Sequence, residues 1–154
     1  MAKVKIKKSY LIALALVMVV VGGFFLFNTK SVDGVPLTMY KSPTCGCCIG
    51  NSQILSAEGF DVKTVSQSNM DIIKSQYQIP AEMQSCHTSV IDDYFIEGHV
   101  PMEAIEKLMN EKPDIDGIAL PRMPSGSPGM PGVKTETWII YSLKDGQYEE
   151  FMRV

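Results

Sequence analysis

VPLTMYKSPTCGCCIG, residues 35–50, holds the turn on which the reading of the fold rests. Val35 to Lys41 is an apolar run with the composition of a strand. Ser42-Pro43-Thr44 breaks it, and Cys45-Gly46-Cys47-Cys48 follows at once. From there Ile49, Ile54, Leu55 and Ala57 recur at helical spacing as far as Glu58-Gly59, where glycine supplies a stop. The cysteine cluster therefore opens a helix directly after a strand.

Working outward, Phe60 to Val65 alternates as a second strand. Ser68 or Asn69 then offers an N-cap to a short helix carrying Met70, Ile72, Ile73 and Tyr77, which has to close before Pro80. A turn through Met83 leads to HTSVI (87–91), an Asp92-Asp93 corner and YFIEG (94–98), the pattern of a β-hairpin. His99-Val100-Pro101 introduces a helix with Ile105, Leu108 and Met109 on one face, ended at Lys112-Pro113. Residues 114–134, punctuated by Pro121, Pro124, Pro128 and Pro131, read as loop throughout. TWIIYSL (137–143) and QYEEF (147–151), joined through Lys144-Asp145-Gly146, form a last hairpin. The order β-α-β-α-β-β-α, with cysteines at the first strand-to-helix junction, predicts an α/β domain over residues 35–154. Its expected architecture is thioredoxin-like: a mixed central sheet with flanking helices, a long Pro/Gly/Met loop and a C-terminal hairpin.

Upstream, Lys3, Lys5, Lys7 and Lys8 precede the uncharged stretch YLIALALVMVVVGGFFLF, residues 10–27. Eighteen residues at about 1.5 Å each span about 27 Å, enough to cross a hydrocarbon core upright. Residues 1–30 thus read as a signal-anchor or a signal peptide with one membrane-spanning segment at about 10–27. The stretch exceeds the ~7–15 residues of a cleavable signal core and lacks a small-residue cleavage site, which favours a retained anchor. Lysines on the cytoplasmic side place the domain outside. The expected location is extracytoplasmic, in a periplasm, tethered to the inner membrane or released after cleavage. Residues 28–34, NTKSVDG, are a polar linker.

The first thirty residues hold five of the 14 basic groups and no acid, so the remainder carries nine basic against 17 acidic groups. A domain of that charge repels phosphate backbones, and no Lys/Arg cluster offsets it, so nucleic acid is excluded as a partner.

The chemistry lies in the cysteines. A helix N-terminus lowers thiol pKa values, so Cys45, Cys47 and Cys48 are expected to be rich in thiolate. In a thioredoxin-like fold the start of the third strand faces that helix end. Cys86-His87 stands there, where such folds usually carry a cis-proline. Packed thiolates with imidazole select a soft ion, and sulfurs that bridge suit copper(I), with room for more than one ion. The expected metal ligands are Cys45, Cys47, Cys48, Cys86, His87 and His99; Met123 and Met130, which flank SGSPG, are by default flexible apolar filler, with thioether donation from a lid as the alternative. Met83, Met102 and Trp138 read as packing residues. Three other chemistries stay open. Structural disulfides suit an exported domain, although bridges at one end of the fold would staple little chain. A thiol-disulfide or copper oxidoreductase would cycle Cys45 and Cys48 as a Cys-x-x-Cys pair; the extra Cys47 and Cys86 weigh against plain disulfide exchange. Zinc or an iron–sulfur cluster fits the C-x-C-C spacing poorly.

Three motifs, YKSPTCGCC (40–48), SCHTSVID (85–92) running on to IEGHVP (96–101), and GIALPRMPSGSPGM (117–130), resemble a family of small exported metal-binding proteins long labelled as a domain of unknown function. The CopG-type copper-resistance proteins belong to it. The similarity runs from about Leu37 to the C-terminus. It implies a thioredoxin-like fold, a periplasmic setting, a link to copper-resistance systems, and redox exchange between copper states. It further implies copper ligation by Cys45, Cys47, Cys48 and Cys86, with His87 and His99 at the matching SCHT and EGHVP positions. Copper ions, another copper-handling protein and the membrane are the expected partners. Ile49-Gly50-Asn51 departs from the bulkier aromatic or basic run common in relatives, which bears on partner contacts.

Overall fold

The computed structural model describes Val32 and residues 34–154; the expected membrane segment at 10–27 lies outside the described residues. β1 (Pro36–Lys41) buries Leu37, Met39 and Lys41 and leaves the residues between them less covered, the period-2 pattern of a strand. α1 (Gly46–Ala57) begins immediately after Cys45, whose backbone is extended at the cap position, and stops at Glu58 and Gly59, where φ is 108°. β2 (Asp61–Ser66) returns parallel to β1, as a crossover through a helix requires. α2 (Met70–Gln76) is capped by Asn69, whose side-chain oxygen accepts from the Asp71 N–H at 3.0 Å. Of the two cap candidates, Asn69 makes the bond.

A single 3₁₀ turn, Ala81–Met83, leads to β3 (His87–Ile91) and β4 (Tyr94–Glu97), which pair as a hairpin turning at Asp92, φ 47°. α3 (Met102–Glu111) follows Pro101 and ends where Lys112 adopts a left-handed φ of 46° ahead of Pro113. β5 (Gly117–Ala119), β6 (Ile139–Lys144) and β7 (Gln147–Arg153) complete one sheet in the order β2-β1-β3-β4-β5-β6-β7. Pairs β1–β2 and β4–β5 are parallel and the rest antiparallel, so the sheet is mixed. The first four strands with the three helices make the thioredoxin-like unit, and β5 to β7 widen it.

Two readings of the sequence need correction. β5 lies inside the segment expected to be loop throughout. Its three residues are all buried and are held from both sides, by β4 and by β6; a run that short carries no detectable periodicity. Glycine is required at its start, because a Cβ on Gly117 would collide with Phe95. In α1, Ile49 and Ile54 are exposed, and the buried stripe is Cys48, Asn51 and Leu55. The helix turns its first cysteine-bearing turn inward.

Adjacent strand residues fall into different apolar clusters, as alternation demands. Ile96 and Ile118 join Leu37, Met39, Leu55, Ile105, Leu108 and Ile140. Their neighbours Phe95 and Ala119 join Ile79, Met83 and Leu143. Leu108 is fully buried in the larger cluster. Leu108→Ala is expected to lower stability by about 2–5 kcal/mol, measured by urea unfolding.

Candidate metal centre

β1 and β3 run antiparallel with Lys41 opposite His87. Cys86, just before β3, therefore comes level with the loop that leaves β1, and the first turn of α1 reaches the same place. Cys48 Sγ lies 3.6 Å from Cys86 Sγ, and Cys45 Sγ lies 3.5 Å from Cys47 Sγ. The four sulfurs all fall within 4.8 Å of one another. Cys86, His87 and His99 form a second group within the same limit, so Cys86 belongs to both.

Cys45 and Cys48 are joined as a disulfide, with their Cα atoms 5.5 Å apart, and Cys47 and Cys86 are free thiols. Four sulfur donors are thus available only after a two-electron reduction. Burial pushes the Cys86 thiol up to about 12, and charge on Cys47 adds to the effect. It is a thiol near neutral pH, so ligating a metal displaces its proton.

The histidines are fully buried, with ring centroids 4.8 Å apart and planes nearly perpendicular. His99 Nδ1 lies 2.7 Å from the Pro128 carbonyl oxygen. A carbonyl only accepts, so the proton sits on Nδ1 and the Nε2 lone pair faces Cys86 Sγ at 2.9 Å. A histidine pinned by one nitrogen to a backbone carbonyl, with the other turned to a cysteine sulfur, is oriented as a metal ligand is. His87 Nδ1 lies 3.3 Å from the same sulfur, while its Nε2 is buried without a hydrogen-bond partner. Burial pushes His87 down to about 3, helped by the nearby His99 and Lys74. Burial lowers His99 too, against the pull of the Pro128 carbonyl. Both rings are neutral near neutral pH, the form that binds metals. Soft sulfur and neutral imidazole in one place fit a copper ion better than a hard cation.

The comparisons agree with that chemistry. A family model described as "Protein of unknown function, DUF411" matches residues 83–130, which include Cys86, His87 and His99. Two solved structures, described as "Copper resistance protein copG" in forms 1 and 2, are each 37% identical over 79% of this chain. They superpose with TM-scores of 0.72 and 0.73, and the match covers 98% and 99% of their lengths. The chain belongs to the CopG family. No match was found among curated proteins.

In this CopG-family chain the long loop meets the site through its backbone. The Pro128 carbonyl accepts from His99 and also from Asn51 Nδ2, at 2.9 Å. Gly129, φ 86°, lies so close to α1 that a Cβ there would sit 2.5 Å from the Asn51 nitrogen. Met123, the alternative thioether donor, is 47% exposed and lines a groove with Glu82, Tyr141 and Tyr148 to which no cysteine or histidine contributes. Met130 is half-buried in a turn closed by its own N–H on Ser127 O. Asn51 escaped the sequence reading; its one signal was a polar residue three positions after Cys48 on the buried stripe. Met83 and Trp138 are buried, as packing residues should be.

With this bridge in place, thiol titration of the unfolded, non-reduced protein is expected to find two thiols, Cys47 and Cys86. After reduction it should find all four cysteines. A count of four before reduction would mean that the bridge does not form.

Proposed function

We propose that this chain is an exported copper-binding protein of copper resistance. It captures copper(I) with Cys45, Cys47, Cys48, Cys86, His87 and His99 once the Cys45–Cys48 bridge is reduced. The observation that carries this reading is the position of Cys86, whose sulfur lies 3.6 Å from Cys48 Sγ, 3.3 Å from His87 Nδ1 and 2.9 Å from His99 Nε2. Two donor groups that share one thiolate suit more than one ion, with Cys86 as the bridge. The kinship with copper resistance proteins supports the choice of metal. The basic N-terminus and the apolar stretch 10–27 support an extracytoplasmic, periplasmic domain tethered to the inner membrane. There it buffers copper or hands it to another copper-handling protein.

The disulfide favours a second reading, a copper or thiol oxidoreductase. Reducing the bridge takes two electrons and releases two thiolates. Two copper(I) ions becoming copper(II) balance it, as does one external dithiol closing to its own disulfide.

Anaerobic titration of the reduced full chain with copper(I) tests the leading reading. Tight, saturable uptake is expected, and absence of uptake would sink it. Cys47→Ser should lower the stoichiometry, or the affinity by at least about tenfold, 1.4 kcal/mol. Repeated turnover of copper between its two states, with a renewable electron partner, would move the assignment to the oxidoreductase; a single turnover per bridge keeps it with binding.

A further inference from the structure

Glu97 is fully buried in β4, and its contacts bracket the candidate ligands. Its Oε1 accepts the Ser85 N–H at 2.5 Å and pairs with the Lys74 ammonium. Its Oε2 accepts the Thr88 hydroxyl at 2.6 Å. Ser85 and Thr88 stand on either side of Cys86-His87. The next residue along, Gly98, donates its N–H to the His87 carbonyl at 3.0 Å, and His99 follows. Gly98 itself has φ 82°, and a Cβ there would sit 2.7 Å from both Ser85 and the Leu120 carbonyl. The turn from Glu97 to His99 is thereby locked against the residue that precedes Cys86.

A buried ion pair is an expensive way to fill an interior, since well-packed apolar replacements are often neutral or stabilising. Packing alone therefore does not account for Lys74 and Glu97. A carboxylate does offer something that a neutral isostere lacks: two accepting oxygens. Glutamine has one, and can accept from Ser85 or from Thr88 but not with both ends of its fork.

We propose that Glu97 is a positioning residue for the metal centre: with Lys74 as its counter-charge, it clamps Ser85 and Thr88 and so holds Cys86, His87 and His99 in place before metal arrives. The clamp joins α2, β3 and β4, which between them carry or flank three of the six candidate ligands. Pre-arranged ligands bind without the cost of ordering them. This inference rests on the copper-binding reading above.

The test uses the full-length, reduced chain as wild type, as the double variant Lys74→Met/Glu97→Leu, whose leucine can neither accept nor donate, and as Thr88→Val. The double variant removes both charges together, so no ion is left buried alone. Copper(I) affinity is read by competition with a chromophoric copper(I) chelator. In the metal-free protein, ring-nitrogen NMR shifts report the His99 tautomer, and amide exchange reports the Gly98 N–H bonded to the His87 carbonyl. The double variant should keep a cooperative thermal transition yet bind copper(I) at least about tenfold more weakly, lose the fixed Nδ1–H signature of His99 and exchange the Gly98 amide faster. Thr88→Val, which leaves the ion pair intact, should shift the same readouts in the same direction by a smaller factor. Wild-type affinity together with wild-type histidine and amide signals in either folded variant would overturn the clamp. If the double variant does not fold, Thr88→Val decides alone. If the wild type takes up no copper(I), the proposed function fails, while the metal-free histidine and amide readouts still decide whether Glu97 positions these residues.

Discussion

Lys41 lies opposite His87 across the β1–β3 ladder, and Thr38 lies opposite Val90. That register brings the end of β1, the first turn of α1 and the start of β3 to one corner of the sheet. A slip of one residue would send every side chain of β3 to the opposite face. Burial holds the register: Leu37 and Met39 on β1 and His87, Thr88, Ser89 and Ile91 on β3 are all out of water. The sulfurs are thus carried by a sheet whose pairing does not depend on them. Cys48 is itself part of the apolar core beside Leu55, so the helix end that bears the cysteines is anchored as well.

The long loop covers what the sheet assembles. A single carbonyl, Pro128 O, fixes His99 in one tautomer and ties down Asn51 in the middle of α1. Backbone-to-backbone packing of Gly129 on the helix leaves no side chain between them. Within that cover, the imidazoles stay neutral and the sulfurs are close enough either to bond to each other or to share a metal. The disulfide occupies Cys45 Sγ and Cys48 Sγ, two of the four sulfurs gathered here. Behind the candidate ligands, the Lys74–Glu97 pair occupies the interior where an apolar core would have been the simpler solution.

Local rules made much of the fold legible in advance. The strand-to-cysteine-to-helix turn, the Asn69 cap and the stop at Lys112-Pro113 each depend on a few neighbouring residues, and each is where its signal places it. β5 was not legible, because three residues held by partners on both sides exist as a strand only through tertiary pairing. In the candidate centre, cysteine and histidine announce their chemistry by type. Asn51, Lys74 and Glu97 do not: a buried amide or ion pair looks in sequence like a surface one. Pro128 acts through a carbonyl that every residue possesses, so nothing in its identity signals the role. Met123 is the opposite case. A thioether near a soft-metal motif invites a ligand reading, yet in the fold it faces another groove.

Copper-edge X-ray absorption of the reduced full chain, loaded anaerobically with copper(I), tests the shared thiolate–imidazole centre most directly. A sulfur-dominated shell with an imidazole contribution is expected, the sulfur falling in Cys86→Ser and the imidazole falling when His87 and His99 are both replaced by alanine. A shell of nitrogen and oxygen alone, unchanged by Cys86→Ser, would contradict it.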